Sequence, residues 1–194
     1  MNDTPASVDS SPPADYPAEL ERVWQTVDGA PVTLRALRPD DLDRELAFIA
    51  GLSGETLHLR MQYASRGVTR DDATRLLQMD YRDTLAVGAL VPGPGGDQIV
   101  GVSRYARSPG SDSAECAIVV ADDWQGRGVG GELMLSLAVA ARSRGIRTLV
   151  GTSLGENRRI RDWAQRFGFG AKTEPDSGGL VTVTLDLASL PPVS

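Results

Sequence analysis

Between an apolar run and a helix-like pattern, the chain crowds Gly126, Gly128, Gly130 and Gly131 into six positions. Residues without a Cβ let successive backbone N–H groups converge on one point, and where a helix follows, that point is the positive end of its dipole. A phosphate suits such a turn, and Arg127 could add a charge at its rim. A plain glycine-rich helix start would look the same, and the residues alone leave both readings open. Other nucleotide loops fit less well. Gly126, Gly128 and Gly131 match G-x-G-x-x-G, but no acid ends the next strand about 20 residues on, as a dinucleotide site requires. No strand lysine follows as in a kinase loop, and no Gly-Lys-Ser/Thr completes a Walker loop. His58 is the only histidine and Cys116 the only cysteine, which excludes a His-based metal cluster and an intramolecular disulfide. Cys116, inside an apolar run, reads as a buried, inert thiol.

The turn needs a strand before it and a helix behind it. Residues 114–120 form an apolar, strand-like run, and from about 129 to 144 Leu133, Leu137 and Ala140 or Ala141 share a helical face that Gly145 ends. Upstream, strand-like runs at 22–27 and 32–37 flank Asp28-Gly29, a hairpin signal. Pro39 opens a helix carrying Leu42, Leu46, Ile49 and Ala50, followed by helical pieces at 55–64 and 71–79. Strands at 84–91 and 98–105 are joined by PGPGGD. Downstream come a strand at 147–151, a helix at 157–167 stopped by Gly168, and closing strands at 169–173 and 179–187. Strands in runs with inserted helices predict an α+β fold, not a doubly wound sheet.

Residues 1–20, rich in Pro, Ser, Ala and Asp, predict a disordered tail, and 21–194 a single domain. The formal charge of −6 argues against a general nucleic-acid binder. Acids at Asp40, Asp41, Asp43 and Glu45 contrast with arginines at 142, 144, 147, 158, 159, 161 and 166, so an anion would dock late in the chain. No signal-like start and no apolar run near 18 residues predict a soluble, cytoplasmic protein with no membrane partner.

The segment 125–130, Gln-Gly-Arg-Gly-Val-Gly, resembles the Q/R-x-x-G-x-G/A signature of the GNAT superfamily of N-acetyltransferases, and the element order resembles that fold over roughly residues 32–187. The stretches MDYRDTLAVGAL, IVGVSRYARSPGSDSAECAIVVADDWQGRGVG and LVGTSLGENRRIRDWAQRFGF are similar to the catalytic domain of bacterial Pat-type protein lysine acetyltransferases. The resemblance implies a GNAT fold, a mixed and mostly antiparallel sheet of six to seven strands flanked by about four helices. It implies acetyl-CoA as co-substrate and no metal. The backbone amides of Gln125, Gly126, Arg127, Gly128, Val129, Gly130 and Gly131 would hold its pyrophosphate. Ile118, Val119 and Val120 would lie along the pantetheine arm, with a main-chain N–H near Val119 donating to the thioester oxygen. Asn157, an N-cap by position, would also bond the pantetheine.

An alkyl ammonium, with a pKa near ~10, must lose a proton before it attacks a thioester. Glu115, at the head of the apolar strand, matches the general base of Pat-like enzymes, and partial burial would tune it for that task. Cys116 is a poor nucleophile beside that anion, and strand alternation sends residues 115 and 116 to opposite faces. Many GNAT enzymes carry a tyrosine acid where this chain has Ala164; Tyr81 and Tyr105 are possible substitutes. Asp80, with Asp83, could receive a cationic acceptor, and Trp124 and Trp163 read as packing residues. The expected activity is acetyl transfer to a primary amine, with a protein lysine, for example in an acyl-CoA synthetase, as acceptor. A small amine as acceptor and a non-catalytic acyl-CoA sensor are the alternatives.

Overall fold

The structure, a computed structural model, describes residues 13–61, 68–173 and 179–190. Eight strands form one sheet in the order β1-β2-β3-β4-β5-β6-β8-β7. In chain order these are β1 (Arg22–Gln25), β2 (Pro31–Ala36), β3 (Thr84–Gly93), β4 (Gly96–Arg107), β5 (Ser113–Val120), β6 (Thr148–Leu154), β7 (Gly170–Thr173) and β8 (Leu180–Asp186). The helices are α1 (Leu42–Ala50), α2 (Gly54–Met61), α3 (Arg70–Leu77), α4 (Val129–Ser143) and α5 (Arg158–Phe167). Every neighbouring pair is antiparallel except β5 and β6. Among the described residues there are thus eight strands and five α-helices, one more of each than the resemblance implies at most. The extra strand is β1, the outer arm of the hairpin at Gly29. Three helices, α1 to α3, lie between β2 and β3, and Thr69 starts α3 by accepting from the Asp72 N–H while the Asp72 carboxylate accepts from the Thr69 N–H.

Helices cover both faces of the sheet. On one face α4 buries Leu133, Leu137, Ala140 and Ala141 against Leu85, Val87 and Ala89, as its apolar spacing predicts. This helix lies so close that a Cβ on Gly101 of β4 would sit 2.8 Å from Leu133 Cδ1. On the other face Phe48, Leu52 and Leu77 from the α1–α3 region pack on Ala86, Leu90 and Val102. The described part of the stretch assigned to a tail is held against the sheet. Residues 1–12 lie outside the described part, whereas Tyr16 packs edge-on against Tyr81 at 5.8 Å, lies beneath Arg38, and donates its hydroxyl to the Ala36 carbonyl at 3.2 Å. One aromatic side chain with three such partners is enough to fix the segment before the first strand.

A buried ion pair joins β2 to the turn that opens α1. Both Arg35 terminal nitrogens reach Asp41 at 2.7 Å, and the Arg38 N–H donates to the same carboxylate at 2.9 Å. Burial pushes the Asp41 carboxyl up, but the hydrogen bonds and charge of Arg35 outweigh it and hold the group below its ordinary 3.8. Removing one partner leaves an uncompensated buried charge. Asp41→Asn is therefore expected to cost about 3–5 kcal/mol and to lower the thermal midpoint by roughly 10 °C, measured by circular dichroism. Because the folded value is depressed, the pair's contribution is complete above pH 3.8 and fades as pH falls below it. The acid limb of the stability profile should shrink in the mutant; an unchanged midpoint and limb would show the pair to be neutral.

Candidate functional site

β5 and β6 run side by side for only three residue pairs, Ser113 with Thr148, Ala114 with Leu149 and Glu115 with Val150. Beyond them β5 stays with β4 as far as Val120, and β6 stays with β8 as far as Leu154. The two strands therefore part like a fork, and a cleft of about 1000 Å³ opens between them. Cys116, Ile118 and Val120 line one arm, Gly151 and Ser153 the other. The crotch is narrow: a Cβ on Gly151 would lie 3.1 Å from a Val183 methyl carbon and 3.6 Å from the Cys116 carbonyl oxygen.

The phase of β5 decides which of its backbone groups face the cleft. Ala121 donates its N–H to Val100 on the β4 side at 2.9 Å. In an antiparallel ladder alternate residues bond to the same neighbour, so Val119 and Ala117 also turn to β4, while Cys116, Ile118 and Val120 turn to the cleft. Two contacts agree. The Val119 carbonyl lies 3.4 Å from where Gly101 would carry a Cβ, and the Cys116 carbonyl faces Gly151. The amide expected near Val119 is thus not that of Val119 itself, which is spent on β4; the cleft-facing amides on either side of it are those of Ile118 and Val120, with Ile118 the nearer to the apex. The Val120 carbonyl, also on the cleft side, accepts the Gln125 side-chain amide at 2.9 Å.

The glycine turn closes the wide end of the fork. Gly126 and Gly128 have φ of 76° and 92°, the left-handed region, and Gly128 caps α4. Its carbonyl accepts from the N–H groups of Gly131 and Glu132, which leaves the amides at the very start of α4 without an intrahelical partner. Gly126, Gly128, Gly130 and Gly131 all line the cleft. A Cβ on Gly130 would project among Ile118, Val120 and Trp163, each under 4 Å away, so its absence keeps the cradle open. Two residues of the turn send their side chains elsewhere, while their backbone amides stay in the turn. The Arg127 guanidinium, expected to add a charge at the rim, is paired with Asp28, lies 4.2 Å over the Trp124 ring and does not line the cleft. The Val129 side chain is buried in the core, while its N–H belongs to the start of α4, where amides have no intrahelical partner. A hydrogen bond from Arg127, followed by one from Thr26, draws the Asp28 carboxyl down to about 2, so the clasp persists at neutral pH. The hairpin also grips the turn through Val27 N–H to the Arg127 carbonyl at 3.2 Å, and the Trp24 ring lies 2.9 Å from where Gly128 would carry a Cβ.

Asn157 caps α5 by accepting from the Ile160 N–H at 3.1 Å, and it also lines the cleft. Trp163, stacked on Phe167 at 5.4 Å, and the buried Ala164 complete that wall. Of the late arginines, Arg158, Arg159 and Arg166 border the cleft, whereas Arg144 donates to the Tyr81 and Ala140 carbonyls. Opposite them stand Thr56 and His58 of α2, and His58 Nε2 reaches Glu156 Oε1 at 3.3 Å.

Glu115 sits at the point where the strands part, on the face opposite Cys116 as alternation requires. It is exposed, so the expected partial burial is not found, because the strand faces water there instead of a helix. Cys116 in turn is half-buried on the cleft wall, not sealed in the core. Asp80 and Asp83 do not form an acceptor site. One Asp80 oxygen accepts from the N–H groups of Arg82, Asp83 and Thr84, shaping its own turn, and Asp83 is paired with Arg107. Tyr81 and Tyr105 are buried and donate to the Leu37 and Arg82 carbonyls. Burial pushes the Tyr105 hydroxyl up to about 12, so neither stands in for the missing tyrosine acid. Sequence reasoning did not find the bonds from Ser53 and Thr56 to Asp122 or the hairpin's grip on the turn. Their partners lie 66 or more residues apart, and no local pattern signals them.

The model of the acetyltransferase (GNAT) family matches residues 55–169, which include the fork, the glycine turn and α5. The Pseudomonas aeruginosa protein named Acetyltransferase PA5475 is 36% identical over 160 residues, 82% of this chain and 86% of that protein. Acetyltransferase Pat of Mycolicibacterium smegmatis is 34% identical over 140 residues, and there the match spans 70% of this chain but only 40% of the relative. Among solved structures, the GNAT domain of S. lividans PAT superposes with a TM-score of 0.81 at 28% identity, covering 88% of this chain and 99% of that domain. A sheet that splits beside a glycine-capped helix, together with relatives matched along most of the chain, makes this protein an N-acetyltransferase of the GNAT family.

Proposed function

We propose that the donor is acetyl-CoA and that the acceptor is the side-chain amine of a protein lysine. The observation that carries the acceptor is the open setting of Glu115. Ala106, Glu115, Val150 and Thr184 lie in register across four strands and so share one face, and Ala106, Glu115 and Thr184 are all exposed. A surface lysine on a folded protein could approach this row, whereas a small metabolite would find no enclosure there. The Pat-like stretches of sequence support the same reading.

The cleft fits the donor on its own geometry. The Cβ-free cradle and the helix-start amides suit a pyrophosphate, and the Ile118 N–H suits a carbonyl oxygen lower in the fork. Bound acetyl-CoA supplies a thioester whose carbonyl carbon takes the amine, with the C–S bond breaking to release CoA thiolate. The fork is a gap in the sheet itself, so its apex is open to both faces. The donor arm lies between β5 and β6, and the amine comes from the side of Glu115. The Glu115 carboxylate takes the proton from the ammonium, directly or through water, and holds the neutral amine over the apex. The Ile118 N–H, fixed by the strand, steadies the charge that develops on the oxygen.

Two substitutions test these roles. Glu115→Gln is expected to lower kcat by about 10²- to 10⁴-fold while leaving CoA affinity unchanged, followed as CoA thiol release with an acyl-CoA synthetase or a panel of small amines as acceptor. Release with small amines alone would replace the acceptor; full activity in the mutant would remove Glu115 from the mechanism. Gly128→Ala places a Cβ against the Trp24 ring at a positive φ, so CoA affinity should fall by at least about tenfold, read by titration calorimetry. Unaltered affinity would mean that the turn does not hold the donor.

A further inference from the structure

α2 is a short helix that opens on glycine, and its first turn is bonded from outside itself. Asp122, just beyond β5, accepts from the Ser53 N–H at 3.1 Å, the Ser53 hydroxyl at 2.9 Å and the Thr56 hydroxyl at 2.8 Å. The bonds from the Ser53 N–H and then the Thr56 hydroxyl hold the Asp122 carboxyl below its ordinary range, so at neutral pH the acceptor is a full anion. Gln125 of the glycine turn adds a longer contact, its side-chain amide lying 3.5 Å from Thr56 Oγ1 while bonded to the Val120 carbonyl. Further along, His58 meets Glu156, which follows β6. α2 is therefore tied to both arms of the fork.

Its place in the sheet gives these ties a consequence. Leu57 of α2 packs in the same apolar cluster as Val119, and Val119 shares its face of β5 with Glu115. Glu55, Thr56 and His58 line the cleft from that side. α2 is thus a wall on the face from which the amine arrives, and its N-terminus hangs on the segment that leads into the donor turn. We propose that Asp122 is a positioning residue that mounts the acceptor-side wall on the donor turn, so that binding of the donor fixes α2 in place for the acceptor. This rests on the donor reading given above. The transmission is direct: Asp122 opens and Gln125 caps one short turn, Asp122–Trp124, and Gly126 follows at once.

Hydrogen exchange of the full chain, followed by mass spectrometry with and without CoA, tests the proposal. CoA should slow exchange in the α2 peptide by about fivefold or more in the parent protein. In Asp122→Ala the slowing should vanish while CoA affinity stays within about threefold, and the acceptor KM should rise by roughly tenfold with kcat little changed. Asp122→Asn, which keeps an accepting oxygen, should restore part of the protection. Equal protection of α2 in parent and Asp122→Ala would overturn the proposal, as would a parallel loss of CoA affinity, which marks a general structural role. Failure of the parent to bind CoA at all would instead strike the donor reading itself.

Discussion

The parting of two parallel strands after three paired residues is the constraint to which the rest of the molecule answers. Separating strands exposes backbone groups that a sheet would otherwise pair, and unpaired buried groups are costly. The structure meets this from both sides. β5 keeps a regular ladder with β4 through Val120, and β6 keeps all seven of its residues paired with β8, so each arm is anchored outward. Inward, the Val120 carbonyl is bonded by Gln125, while the amide of Ile118 is left facing the cleft. The gap is thus a held position, and a donor that pairs with that amide repairs the interruption it occupies.

A turn that leaves backbone N–H groups converging for a ligand is itself unsupported by side chains, and its rigidity has to come from elsewhere. Here it comes from the first hairpin. Trp24 presses on Gly128, the Val27 amide bonds the Arg127 carbonyl, and Asp28 clasps the Arg127 guanidinium above Trp124. Arg22 adds a pair to Glu132 in the first turn of α4 at 2.5 Å. Single exposed ion pairs contribute little, but this set is combined with ring packing and a main-chain bond, and together they fix one geometry. The arginine in the signature segment therefore acts on the turn from behind, and Arg158, Arg159 and Arg166 are, among the described residues, the arginines that border the cleft.

Local chemistry made most of the fold legible. Hairpin turns at Gly29 and Gly96, the helix stops at Gly145 and Gly168 and the apolar face of α4 each follow from a few neighbouring residues, and the strands fall within a few positions of their expected bounds. What depended on distant contacts was not legible. Tyr16 reads as part of a polar tail until Tyr81 and Arg38 are seen against it. Asp80 reads as a free acid until its own turn is built around it. In the site, the glycines, Gln125, Ile118, Val119, Val120 and Asn157 line the cleft as expected, whereas the side chains of Arg127 and Val129 point elsewhere, because the direction of a side chain in a tight turn is set by what packs behind it. The exposure of Glu115 depends on where the helices end, which periodicity alone does not define.

The two ends of the reaction make unequal demands on protons, and the site is unequal in the same sense. A lysine amine with an ordinary pKa of about 10.4 stands more than three units above neutral pH, so reaching its reactive form costs roughly 5 kcal/mol, whereas a thiol near about 8.5 can leave as thiolate for roughly 2. A base on the acceptor side is accordingly worth more than an acid on the donor side. The chain supplies a carboxylate at the fork's apex, on the face proposed for the amine, and it lines the cleft wall with Ala164. Both nearby tyrosine hydroxyls are committed to main-chain carbonyls, and Tyr105 is pushed further from acidity by burial. On the proposed reading the absence of a tyrosine at position 164 is then no defect of the site: an apolar wall beside Trp163 would pack the donor arm, and the proton that matters would be handled at Glu115.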